Sequence, residues 1–271
     1  MKRILGGMVV AAALSGSAFA ADLGARTYAK APAVADAVFS WTGLYLGGNV
    51  GGHWGSDSIT TTTNPLAFFL INNADTLSPV SLKPQGVMGG VQIGYNWQMN
   101  NVVFGIEGDA NWLGGASFRH LVYPGPSPAP GDFMENSTGA RFLGTIRPRL
   151  GLTMDHLLLY VTGGVAFGSV RTTDSFCIFS CPTLVGNLST ASGTTTRTGW
   201  TAGAGLEYAI NNNWSVKGEY LYVDLGSFDT SIPSQLNCDT ACDVRVHHTY
   251  TDNIARVGVN YRFGGPVAAG Y

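Results

Sequence analysis

The sequence is poor in charge: Asp, Glu, Lys and Arg make up 12% of its 271 residues, whereas the surface of a soluble domain is normally about a quarter charged or more. It has no basic excess, with 15 Lys and Arg against 17 acids, so the positive footprint that nucleic acid requires is missing. After residue 20 no stretch reaches the roughly eighteen apolar residues of a membrane-crossing helix. Cysteine is scarce as well, at four. A chain whose outer surface faces lipid would show this deficit of charge, provided it crosses by strands.

What is present begins with export. "MKRILGGMVVAAALSGSAFA" opens with Lys2 and Arg3, runs apolar from Ile4 to Leu14 and closes on Ala18, Phe19 and Ala20. A basic start, a short apolar core and an A-x-A site predict a secretory signal over residues 1–20, cleaved after Ala20. Residues 21–40 are Ala-rich and aperiodic and are expected to form a mobile leader. A single β-domain is expected over 41–263, with a tail at 264–271.

The β reading comes from alternation. In "ARVGVNYRF" (255–263), Ala255, Val257, Val259, Tyr261 and Phe263 alternate with Arg256, Gly258, Asn260 and Arg262. Strict period two marks a strand with two unlike faces. The pattern recurs over 41–55, 86–98, 101–115, 140–153, 157–170, 198–209 and 213–226, giving eight strands. Pro148 falls inside one of them and is expected to mark a bulge or an unpaired position. "MNN", "MDH" and "NNN" (99–101, 154–156, 211–213) are tight turns. Between them lie long connections near 56–85, 117–139, 171–197 and 227–249. Short turns on one side and long loops on the other are the habit of outer-membrane barrels. Trp54, Tyr95, Trp97, Trp112 and Trp214 gather towards strand ends, where interfacial girdles sit.

Five segments carry a resemblance: "WTGLYLGGNVGG" (41–52), "GGVQIGYNWQ" (89–98), "VVFGIEGDANW" (102–112), "VKGEYLYVDLG" (216–226) and "NIARVGVNYRF" (253–263). In this order they resemble the small outer-membrane β-barrel proteins of the porin-family, opacity-type class of alphaproteobacteria. The resemblance implies an all-β, eight-stranded antiparallel transmembrane barrel in the outer membrane. It implies insertion by the barrel-assembly machinery, which reads a closing strand ending in an aromatic; Tyr261 and Phe263 supply that signal. The expected role is structural and surface-exposed: envelope integrity, a surface antigen, or adhesion through the long loops. Expected partners are outer-membrane lipid and lipopolysaccharide and a host or surface ligand of the loops, with no nucleic acid. The alternative is a small low-conductance porin or a loop-based receptor for haem or another solute.

An eight-stranded barrel is just wide enough inside for its own side chains. The inward parity contains Glu107, Asp109, Glu207 and Glu219 against Arg147, Arg149, Lys217, Arg256 and Arg262. Unpaired charge in such a space is costly, so pairing is expected: Glu107 and Asp109 with Arg147 and Arg149, Glu207 with Lys217, Glu219 with Arg256. This network reads as a structural plug, with a narrow polar path as the competing reading. His53, with Ser56 and Asp57 beside it, is the one rim constellation with catalytic residue types. Adjacency in sequence does not orient a nucleophile and base, so no enzymatic activity, catalytic residue, metal site or cofactor is expected. The loop pair His247 and His248 is expected to be solvated. Cys177 with Cys181, and Cys238 with Cys242, form two short segments expected in loops. An oxidising compartment favours disulfides over thiolate zinc; three connectivities are open, and local pairing within each segment is preferred.

Overall fold

Three short turns organise the sheet. Asn100 and Asp155 hold φ of 56° and 51°, in the left-handed region that Asn and Asp tolerate better than most residues. Each sits in a two-residue hairpin connection. At the third turn, Asn211 Oδ1 accepts the backbone N–H groups of Asn213 at 2.9 Å and Trp214 at 2.8 Å, replacing bonds that the bent backbone cannot make.

The computed structural model describes residues 39–63, 79–122, 133–177, 188–232 and 244–263. Their strands are β1 (Gly43–Thr63), β2 (Val80–Leu82), β3 (Gln85–Met99), β4 (Val102–Leu113), β5 (Ser117–Val122), β6 (Phe133–Met154), β7 (Leu157–Cys177), β8 (Leu188–Ala209), β9 (Trp214–Ile232) and β10 (Val244–Phe263). All neighbours are antiparallel, in the order β10-β9-β8-β7-β6-β4-β3-β1. β1 then returns to β10, from Leu44↔Phe263 to Thr63↔Val244. The ring is closed and leaves no edge.

The two short strands complete interrupted staves. β2 continues the line of β3 along β1, because Asp57↔Leu82 keeps the register of Trp54↔Gln85. Pro84, which has no N–H to give, breaks the line, and its carbonyl accepts the Gly55 N–H at 2.7 Å. β5 likewise continues β4 along β6, shifted by one residue. The ten strands therefore trace the eight staves expected of the sequence.

The wall is apolar outside and polar inside. On β1, Leu44, Leu46, Val50 and Trp54 are exposed while Tyr45, Asn49, His53 and Asp57 are buried. On β10, Val257, Val259, Tyr261 and Phe263 face out while Arg256, Asn260 and Arg262 face in. This inverts a soluble domain and suits a lipid surround. The outward apolar row of β1 runs from Leu44 to Trp54, matching the roughly 9–11 residues that cross a bilayer.

The strands do not stop there. Above Trp54, β1 goes on with Ser56, Ser58 and Thr60 pointing outward. Much of what the sequence assigned to long loops is therefore sheet, a correction that has a physical cause. Beyond the bilayer the outer face meets water, so the contrast between outward apolar and inward polar residues disappears and the alternation signal with it. The Thr-rich runs still favour strand.

Pro148 lies within β6, in register with Ile106 on β4. On the β7 side the ladder passes from Ile146↔Val165 to Arg149↔Thr162, so the missing N–H falls in a gap between rungs. Thr162 Oγ1 donates to the Pro148 carbonyl at 2.9 Å. The strands approach so closely here that a Cβ on Gly164 would run into the Ile146 carbonyl oxygen.

Candidate functional site

The lower interior holds an ion network. Arg147 contacts Glu107 at 2.8 Å, Asp109 at 2.9 Å and Glu219 at 3.2 Å. Arg256 donates to Glu219 from Nε at 2.8 Å and contacts Asp109 at 3.1 Å. Lys217 Nζ lies 2.8 Å from Glu107. Arg149 contacts Glu207 at 3.2 Å and Glu107 at 3.7 Å, and its guanidinium covers the Tyr45 ring at 4.6 Å. The hydroxyls of Tyr45 and Tyr160 donate to Glu107 at 2.7 Å and Glu219 at 3.0 Å. All of these side chains are buried. The acids Glu107, Asp109, Glu207 and Glu219 are balanced by Arg147, Arg149, Lys217 and Arg256.

One expected pairing differs, and one inward arginine stands apart from the network. Glu207 and Lys217 are register neighbours on β8 and β9, yet no ion pair joins them. Lys217 crosses the lumen to Glu107, and Glu207 instead takes Arg149 and a hydrogen bond from Asn260 at 2.8 Å. A four-carbon stem reaches across so small a lumen, and strand register says nothing of that. Arg262 has no carboxylate partner among the described residues. It covers the rings of Phe39 at 4.5 Å and Trp41 at 5.5 Å and donates to the Asn212 carbonyl at 2.7 Å.

Arg262 thereby helps to close the short-turn end. Trp41 is buried with Val103, Leu158, Tyr160 and Ala209, and Phe39, from the segment read as leader, packs against them. The Trp41 backbone N–H donates to Gln98 Oε1 at 2.6 Å and its indole to the Asp155 carbonyl at 3.3 Å. A cavity of about 10 Å³ lies between Trp41, Tyr45, Glu207 and Arg262, room for about one water.

Above the ion network the interior turns partly apolar. Leu143, Ala166, Leu221, Val223 and Ile254 are buried in one cluster with Leu225, Phe228 and Tyr250. At this level His53 Nδ1 lies 3.0 Å from Asp252 and Nε2 lies 2.8 Å from the Gly114 carbonyl. The ring thus bridges a carboxylate of β10 and a backbone carbonyl after β4. A second buried histidine stands higher, above the lipid-facing belt. His248 Nδ1 lies 2.9 Å from Asp57, Nε2 lies 3.4 Å from Asp174, and the ring stacks on Phe228 at 4.9 Å. Burial favours the neutral ring, but the carboxylates of Asp174 and Asp57 outweigh it and push the His248 pKa up to about 9. Thr138 and Asn136 donate to these two acids at 2.7 and 2.8 Å.

These clusters replace two sequence expectations. His53, Ser56 and Asp57 do not form one site: His53 turns to Asp252, Asp57 to His248, and Ser56 lies on the other face. His247 and His248 are not in a loop but on β10, where alternation sends His247 outward to Asp229 at 2.6 Å and His248 inward. The signal was available. Counting back in twos from the inward Arg256 reaches Ile254, Asp252, Tyr250 and His248.

Tyr261 and Phe263 face outward, packed edge to face at 5.1 Å, with Trp214 at 5.1 Å on the other side of Tyr261. Cys177 ends β7, buried in the sheet rather than lying in a loop, and is disulfide-bonded. Cys181, Cys238 and Cys242, and with them the connectivity, lie outside the described residues.

A closed antiparallel ring with an apolar outer belt and a paired-charge interior defines an integral outer-membrane β-barrel. The comparisons agree. Residues 7–263 match the outer membrane protein beta-barrel domain family, and the chain belongs to that family. It is 37% identical to the 31 kDa outer-membrane immunogenic protein of Brucella melitensis, over 94% of this chain and 97% of that protein. It is 29% identical to the 22 kDa outer membrane protein of Rhizobium leguminosarum, over 83% and 79% of the two chains. Among solved structures it is similar to the outer membrane protein OprG of Pseudomonas aeruginosa, with TM-score 0.49, 12% identity, and 85% and 100% of the chains covered. The protein is an outer-membrane β-barrel with a structural or surface role.

Proposed function

We propose that this barrel is sealed, and serves as a non-conducting, non-catalytic wall element that carries its outer connections to the surroundings. One observation carries the reading: Leu143, Ala166, Leu221, Val223 and Ile254 are packed together in the interior above the ion network, beside the buried His53–Asp252 pair. An ion following the charged residues would have to pass between buried apolar side chains and a histidine and carboxylate already bound to each other, at a cost of several kcal/mol. The ring of Trp41, Phe39 and Arg262 at the short-turn end and the His248 cluster above add two further obstructions. The two interior acid–histidine contacts, His53 with Asp252 and His248 with Asp57, are buried, which supports a packing role for them over a catalytic one.

Planar-bilayer recording of the refolded protein tests this. The expected record is quiet, without a reproducible unit conductance. Steady channels of uniform size would overturn the sealed reading and favour the low-conductance porin. Exchange of Leu221 and Ile254 for Ser is expected to raise leakage without removing the barrel, since it loosens only the packing above the ion network.

A further inference from the structure

Arg141 and Arg171 take no part in the interior. β6 and β7 lose register between Ala140 and Phe142, so Arg141 is an extra residue, and it and Phe142 are both exposed. A bulge re-aims a side chain in this way. Arg171 pairs with Gly139 on β6 and Thr194 on β8 and is exposed on the same outer wall. Directly below them Phe142, Trp112 and Phe167 stand exposed, with Phe142 and Trp112 edge to face at 6.3 Å. Such girdles sit at headgroup level. The two guanidinium groups therefore stand among headgroups, on the side of the long connections, which is the outer leaflet.

Neither arginine has an ion pair among the described residues. Outward acids elsewhere on the wall have partners of their own. Glu135, higher on β6, holds His120 at 2.7 Å. Asp224, on β9 in register with Trp200, accepts the Gly226 N–H at 2.7 Å. The wall thus carries two uncompensated cations with the exposed Thr194 beside them, over an apolar belt. Planar guanidinium groups match phosphate oxygens with paired hydrogen bonds.

We propose that Arg141 and Arg171 bind the phosphate of a phosphorylated glycolipid of the outer leaflet. The ligand is a lipid and not a free anion because the groups lie on the lipid-facing wall, where acyl chains would run down over Phe142 and Phe167. The inference goes beyond the sealed-barrel reading and does not depend on it.

The test uses the full chain in phosphatidylcholine vesicles alone, with bisphosphorylated lipid A, or with lipid A stripped of both phosphates. Lipid retained through detergent extraction is counted by native mass spectrometry. Bisphosphorylated lipid A should be retained, and R141Q and R171Q should each weaken retention roughly tenfold, as expected for a charge-assisted contact. R119Q, on the other face of β5, should retain it like the parent. Equal retention of the dephosphorylated lipid, or retention unaffected by both substitutions, overturns the proposal. So does displacement of lipid A by inorganic phosphate alone. Folding is scored separately, by the mobility of unheated samples in phosphatidylcholine. The single variants keep the test open if the double variant fails to insert.

Discussion

Lys217 Nζ and Glu107 meet at 2.8 Å to both carboxylate oxygens, 110 residues apart in sequence and on opposite sides of the lumen. This contact staples β9 to β4, two staves that are not neighbours. Paired charge thus spans the cross-section of the barrel, where no backbone ladder reaches.

Removing one partner strands the other. Lys217→Met should destabilise the barrel by about 3 kcal/mol, the usual cost of breaking a buried pair. Glu107 would still have Arg147, but the network would carry an excess acid. Lys217→Met with Glu107→Gln should recover much of the loss. Urea unfolding in detergent micelles, followed by tryptophan fluorescence, gives both values, and additive losses would show that the contact contributes little.

The His248 cluster gives the extracellular half a pH dependence of definite sign. The folded pKa of about 9 lies above the ordinary value of 6.5, so the folded state holds the proton more tightly. The stabilisation is complete below pH 6.5 and is lost as pH rises through about 9. The full swing is about 3 kcal/mol at most. The temperature at which the unheated gel form is lost should fall across that window, and His248→Gln should flatten the fall.

The closing rung Leu44↔Phe263 sets a prediction for assembly. Phe263→Asp puts a charge on the lipid face beside Tyr261 and should leave the protein uninserted in the periplasm. Deletion of residues 264–271 should leave insertion intact. Heat-modifiable mobility of membrane fractions distinguishes the two, and failure of the deletion alone would move the assembly signal into the tail.

Cys177 is oxidised, and its partner is predicted to be Cys181. Non-reducing peptide mapping after cleavage between Cys181 and Cys238 should release two separate fragments. Fragments that stay joined until reduction would show the two connections to be cross-linked.

The sequence was most legible where the environment differs sharply across the wall. From Leu44 to Trp54 and from Ala255 to Phe263, lipid on one side and charge on the other wrote a period of two. Asn100, Asp155 and Asn211 were legible as turns because their side chains suit the backbone geometry there. Arg262 was misread because parity gives direction and not company: it points inward, but at its height the neighbours are Phe39 and Trp41. The inward apolar cluster was hidden for a related reason. In "YLYVDLG" the apolar residues lie on both faces, and Leu221, Val223 and Leu225 turned inward.

The strand extensions have a consequence for how the protein meets the outside. At ~3.3 Å per residue and a tilt of ~40°, the 21 residues of β1 rise ~50 Å, against a hydrocarbon core of ~30 Å. The excess is a turret of hydrogen-bonded wall, hydroxyl-studded outside and cemented inside by Asp57, His248 and Asp174. Part of the surface offered to the medium is therefore folded wall. A binder selected on the intact turret should lose its grip once the sample is boiled.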